Sequence, residues 1–187
     1  RFFMFIHYWD AHTPYLPPER YRGLFYSGDP SDPAKRGRLH QFYGTSMHAE
    51  LWRDQWINSL APAGRELTDI EYLAAMYDSE IRHLDDGVSA LLETLDKTGV
   101  ADRTLVLIFA DHGEEMHEHD VFFDHHGLYE GNIHVPLLVR GPGVRAGAVV
   151  PHLARHVDLA PTILQLAGMP IPQEMEGESL VGYLNGA

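Results

Sequence analysis

The sequence predicts an α/β fold in which a mostly parallel sheet is covered by helices, and three observations carry that prediction. Leu105–Phe109 is a run of five consecutive apolar residues, the pattern of a strand buried on both faces. A long amphipathic helix over residues 70–95 feeds straight into that run, as in an α/β unit. A second apolar run, Phe2–Ile6, also ends abruptly in polar residues. Ligands in open α/β sheets bind beyond the carboxyl ends of strands. The two strand-end loops, one opening at His7 and the other at Asp111, are therefore where a site is expected.

Each element follows in order. Arg1 leads at once into Phe2–Ile6 with no polar lead-in, so the chain reads as truncated at its N-terminus. Pro14 imposes extended geometry on Thr13 and ends the first loop. From Pro17 to Pro62 the composition is rich in Pro, Gly, Ser and Tyr with little periodicity, which predicts a long surface excursion. Trp52 and Trp56 stand four apart within it and read as rings packed over the edge of the core. Thr68, Asp69, Ile70 and Glu71 form a capping box. Ile70, Leu73, Tyr77, Ile81, Leu84, Val88, Leu91 and Leu95 then recur at helical spacing up to a stop at Gly99. Glu80, Arg82, His83, Asp85 and Asp86 read as that helix's solvated face. Beyond the second loop, Ile133–Val139 predicts a strand, Ala148–Val157 a further extended piece, and Asp158 the cap of a helix over 159–167. Residues 169–187 form a C-terminal tail, with a last short helix expected at Ser179–Leu184.

Composition narrows the function classes. The 187 residues are 44% apolar, enough for one domain with a real core. A net charge of −13 argues against a nucleic-acid footprint. No apolar run approaches the roughly 18–20 residues that span a bilayer. The absence of cysteine removes disulfides, thiolate metal sites and a cysteine nucleophile, and leaves the compartment open. Of thirteen histidines, seven fall in two windows, His7–His12 and His112–His126. That clustering calls for a chemical explanation.

Asp111 and His112 place anionic oxygen beside imidazole nitrogen, with Gly113 to let the backbone turn away, and this makes half of a divalent-metal site. The bland alternative is an Asp that stabilises a turn. Glu114, His117, Glu118, His119, Asp120, Asp124, His125 and His126 follow in one loop. A loop so dense in titratable groups is costly unless an ion organises it. Further ligands must come from elsewhere, and His7, Asp10 and His12 are the other strand-end candidates. Ester hydrolysis also needs a nucleophile, and neither Thr13 nor Thr45 sits in a strand-to-helix elbow.

Five stretches together resemble the sulfatases of the alkaline phosphatase superfamily: HYWDAHTPYLPPERY from His7, YDSEIRHLDDGVSALLETL from Tyr77, TLVLIFADHGEE from Thr104, HHGLYEGNIHVPLLVRGPG from His125 and HVDLAPTILQLAGMPIP from His156. They occur in the family's order. The resemblance implies a three-layer α/β/α sandwich, alkaline-phosphatase-like, whose strand ends hold one divalent cation. It casts Asp111 and His112 as the second pair of metal ligands, and His12 as a contact to the substrate's sulfate or phosphate group. His125 lies four residues before Tyr129, where the family usually has a Lys that binds the same group and the leaving oxygen; His126 takes that place if the register slips by one.

Two departures from the family pattern matter. The segment with two metal-binding aspartates and the CxPSR or SxPSR sequence, whose Cys or Ser becomes formylglycine, does not occur in these residues. The resemblance therefore implies a partial catalytic domain, inactive alone. Many sulfatases have Asn and calcium where His112 stands; calcium is the expectation from the family, and imidazole also suits manganese or zinc. The expected substrate is a sulfated small molecule or glycan. The alternatives are a phosphodiester or phosphonate monoester hydrolase or phosphoryl-group transferase of the same superfamily, and a non-enzymatic binding module on the same scaffold.

Overall fold

A computed structural model of the protein describes residues 2–45 and 49–184. The chain divides into two compact units, Arg1–Leu91 with Glu114–Gly127, and Leu92–Gly113 with Leu128–Ala187.

In the first unit, helix α1 spans Arg36–Thr45, and α2 (Ala49–Trp52) runs through a π-helical turn at Arg53–Ile57 into α3 (Asn58–Leu60). Helix α4 covers Ile70–Lys97 and carries the chain into the second unit. Tyr15, Leu39, Phe42, Trp56, Ile57, Leu60, Leu73, Met76, Phe122 and Phe123 share one core. The segment from Pro17 to Pro62 is thus more than a surface excursion, because it supplies five of those side chains. Its Pro- and Gly-rich turns masked short helices. Trp52 and Trp56 pack edge to face at 5.8 Å, and Trp56 is buried, as the core reading expects.

Helix α4 begins at Ile70, which makes Asp69 its cap, one residue beyond the expected Thr68. The Asp69 carboxylate accepts the Glu71 amide at 3.2 Å, while the Thr68 hydroxyl donates to the Asp32 carbonyl at 2.7 Å. Asp69 also accepts from Lys35 Nζ and the Tyr26 hydroxyl, so it joins the helix start to the preceding turns. The buried stripe runs through Ile70, Leu73, Met76 and Glu80; Ile81 is exposed. The reading of Glu80 as solvated is therefore corrected: it is 3% exposed.

Residues 2–6 were expected to form a buried strand. They form no regular element, and among the described residues no strand pairs with them; Phe3 is 83% exposed.

In the second unit, β1 (Val106–Phe109) pairs antiparallel with β2 (Leu137–Arg140), Val106 opposite Arg140 and Phe109 opposite Leu137. Between them lies α5, Glu130–Ile133. The strand expected from Ile133 thus starts later, after Pro136 has forced the preceding backbone extended. The only sheet among the described residues is this two-stranded antiparallel pair, and β1 is half-buried rather than covered on both faces. The fold is α/β, and the parallel order expected from the apolar run of β1 is not what these two strands build. Residues 148–155 form no strand, and Val149 and Leu153 are almost fully exposed.

Helix α6 (Leu159–Leu166) follows a tight turn at His156–Asp158, and α7 (Val181–Leu184) closes the described tail. Asp158 does not cap α6 with its side chain. It is buried, takes Arg155 in a two-pronged grip, and accepts the Glu178 amide at 2.9 Å. Arg155 and that amide outweigh burial and hold its carboxyl down at about 2. Thr162 in turn accepts the Leu180 amide at 2.9 Å, so two buried polar side chains fasten the tail.

Candidate functional site

In the first unit the His7–Pro14 loop turns on a hydrogen bond from the His12 amide to the Trp9 carbonyl, 3.1 Å. The indole of Trp9 stacks on the His12 ring at 4.5 Å. His12 Nδ1 lies 2.7 Å from the Thr13 carbonyl. A carbonyl only accepts, so the proton sits on Nδ1 and Nε2 is the outward-working nitrogen. Tyr8 packs over Gly87 of α4, where an added Cβ would lie 3.6 Å from the ring.

The second histidine loop is anchored at both ends. Glu115 and Asp124 form an antiparallel bridge, and Phe122 and Phe123 drive into the core, Phe123 meeting Trp56 edge to face at 5.4 Å and Tyr15 at 6.0 Å. Much of the loop's charge is spent on holding its own shape. Glu118 accepts the Met116 and His117 amides, His117 pairs with Glu71 at 3.2 Å, and His119 with buried Glu115 at 3.1 Å. Gln41 donates to Asp120 at 2.8 Å. For these residues internal pairing accounts for the density of charge, with no ion needed.

What this anchoring delivers is His125. Its ring meets that of His12 edge to face, with centroids 5.6 Å apart. The Asp124 carboxylate accepts the His125 amide at 2.7 Å and also takes the His126 ring; burial would raise that carboxyl, but the His126 ring and the His125 amide hold it low. His126 stacks on His125 yet is itself largely exposed. Glu114, buried, places Oε1 at 3.7 Å from His125 Nδ1. Together with burial, Glu114 holds the Tyr15 hydroxyl well above the usual tyrosine range. His7 lies at 6.2 Å from Trp9, on the opposite side of the turn in sequence from His12. Burial, opposed by the Leu16 amide and helped by Asp10, raises the Glu80 carboxyl to about 7.

The second unit holds Asp111 and His112 at the end of β1. His156 Nε2 lies 2.9 Å from the Ala110 carbonyl, and Asp111 Oδ1 accepts the His112 amide at 3.1 Å. His112 Nδ1 is 2.7 Å from the Gly113 carbonyl, which puts its proton on Nδ1 and a lone pair on Nε2, the form a metal ligand requires. Nε2 and Asp111 Oδ1 are 3.9 Å apart, and the Asp111 side chain is 81% exposed. One ion at roughly 2.0–2.3 Å from each donor spans that gap. The donor set therefore fits one divalent cation, with two ligands of its sphere. Gly113 has a different purpose from the flexible turn expected of it. A Cβ there would lie 1.8 Å from the Gly131 carbonyl oxygen, so the residue allows the backbone before β2 to approach.

The sequence reading gave Tyr15 no place near the site, took Glu80 for a solvated residue, and named Glu114 only among the loop's charges rather than as the buried neighbour of His125. Glu80 had a signal: it lies four residues after Met76 and seven after Leu73, in the register of the buried stripe.

Comparison with known proteins gives a consistent result. The Sulfatase family model matches residues 1–169. The chain is 35% identical to arylsulfatase K of Xenopus laevis over 76% of its own length and 26% of that protein's. It is 30% identical to human N-acetylglucosamine-6-sulfatase over 100% of its length and 32% of that protein's. Among solved structures, the phosphonate monoester hydrolase SpPMH from Silicibacter pomeroyi superposes with a TM-score of 0.72 at 28% identity, over 94% of this chain and 36% of that one. The chain thus spans about a fifth to a third of the length of the curated relatives it matches.

Proposed function

The chain belongs to the sulfatase family, and from that premise we propose that the protein carrying it hydrolyses sulfate esters at a divalent-metal site. The observation that supports this reading best is the pairing of His12 with His125, two imidazoles from loops far apart in sequence brought to 5.6 Å.

In this reading Asp111 Oδ1 and His112 Nε2 hold the cation, calcium by family resemblance and manganese or zinc by the chemistry of the imidazole. When bound, the cation supplies positive charge to the ester's oxygens. The chain's own residues do the rest. As the imidazolium, His12 donates its Nε2–H to a non-bridging oxygen of the sulfate while Nδ1–H stays on the Thr13 carbonyl and the ring stacks on Trp9. His125 protonates the bridging oxygen as the sulfur–oxygen bond breaks, so the alcohol or phenol leaves neutral; water supplies the oxygen that converts the sulfuryl group to sulfate. His126 stands in for His125 if the loop register shifts by one. The nucleophile comes from outside residues 1–187, and those residues alone are inactive. The whole catalytic domain is a three-layer α/β/α sandwich with a mostly parallel sheet, to which β1 and β2 contribute an antiparallel pair.

The substrate is a sulfated small molecule or glycan, a choice supported by the kinship with an N-acetylglucosamine-6-sulfatase. A second reading, phosphonate monoester hydrolysis, is favoured by the likeness to SpPMH. Turnover of aryl sulfate, sugar sulfate and phosphonate monoester by the full-length protein tests both. Sulfate release with a kcat/KM well above that for the phosphonate supports the first, the reverse order supports the second, and no turnover of any ester removes both.

A further inference from the structure

The peptide joining Tyr15 to Leu16 is gripped on both sides. Trp56 Nε1, from the π-helical turn, donates to its carbonyl at 3.3 Å, and its N–H donates to Glu80 Oε1 of α4 at 2.7 Å. Tyr15, Trp56 and Glu80 are 0%, 1% and 3% exposed; the bond from Trp56 is fully buried and the one to Glu80 is part-buried. The peptide stands just beyond Pro14, whose ring fixes one backbone angle, and so close to His12 that little slack separates them. The other contacts of His12 to its own loop, to Trp9 and Thr13, move with that loop.

Glu80 is a costly choice for stability alone. Burial disfavours its charge, Asp10 adds to the penalty, and the Tyr15 hydroxyl nearby shares the same dry surroundings. Its Oε2 is buried with no hydrogen-bond partner among the described residues. An apolar residue on this stripe would pack without such a penalty. Costly buried polar groups are kept where function needs their geometry.

We propose that Glu80 and Trp56 are positioning residues that clamp the Tyr15–Leu16 peptide and thereby fix the loop presenting His12. The proposal rests on the reading of His12 as the group that grips the ester's anion. Either protonation state of Glu80 leaves an oxygen to accept the amide, so Gln is a faithful replacement and Leu is not.

The test uses the full-length protein with Glu80→Gln, Glu80→Leu and Trp56→Phe. Two quantities are read: kcat and KM on an aryl sulfate, and the His12 ring signal in a histidine carbon–proton NMR spectrum, assigned by its loss in His12→Ala. Glu80→Leu is expected to lower kcat/KM by about a hundredfold, carried by kcat, because small misplacements of a reacting group have effects of that order. It also shifts the His12 signal, while Glu80→Gln restores most of both. Trp56→Phe, which keeps an aromatic ring in the core and loses the N–H, lowers kcat/KM by about tenfold and decides the matter if Glu80→Leu does not fold. An unmoved His12 signal with kcat/KM within about twofold of wild type overturns the clamp, as does a Glu80→Gln variant as impaired as Glu80→Leu. Should the wild type turn over no ester, the functional reading fails, and the His12 signal alone then decides the clamp.

Discussion

His12 and His125 meet through imidazole rings that the sequence placed in two histidine-rich windows, and that much was legible because strand-end loops are where α/β folds collect chemistry. Nε2 of His12 carries the function while Nδ1 is tied locally. His12→Ala in the full-length protein should therefore lower kcat/KM by about 10²–10⁴, with an unchanged melting temperature as the control. Asp111→Ala should abolish retention of the cation, because it removes the one carboxylate donor assigned to it; equal metal content by elemental analysis in variant and wild type would refute the assignment. Glu80 lies in the register of the buried stripe, but a carboxylate amid Arg82, Asp85 and Asp86 looks like a wet helix face, and that chemistry hid the signal. Its burial has a pH consequence whose sign is fixed. A carboxyl raised from 4.5 to about 7 binds its proton more tightly folded than unfolded. Its contribution to stability is full below pH 4.5 and fades as pH rises through about 7. Glu80→Gln, which keeps the Leu16 bond, should melt higher than wild type well above pH 7, by up to roughly 3 kcal/mol, and the gap should close in acid.

At the scale of elements, periodicity gave α4 nearly to the residue, because 28 residues of amphipathic pattern outweigh any local ambiguity. It misjudged the cap by one position, since Thr68 and Asp69 are both good capping residues and tertiary partners decide between them. The helices between Pro17 and Pro62 were illegible for the opposite reason: each is short, and its apolar residues are too few to show a period. The loop from Glu114 to Gly127 is positioned by Phe122 and Phe123 rather than by its charges. Phe123→Ala should cost about 3–5 kcal/mol in chemical denaturation, the usual penalty for an emptied aromatic site in a core. It should also loosen His125, read as raised hydrogen exchange across the Glu115–Asp124 bridge.

For the molecule as a whole, the family was readable from five ordered motifs, whereas the sheet was not. An apolar run such as Leu105–Phe109 reports burial but not the direction of its neighbour, and the neighbour, β2, runs antiparallel. Residues 2–6 show the same limit, since apolar residues promise a covered strand without saying what covers it. Because the chain spans about a fifth to a third of its matched relatives, the proposed chemistry belongs to the protein at full length. The most direct measurement is sulfate release from an aryl or sugar sulfate by the full-length protein, wild type beside Asp111→Ala. Metal-dependent release that the variant loses is the predicted result, and a fully metal-loaded wild type that liberates no sulfate would contradict it.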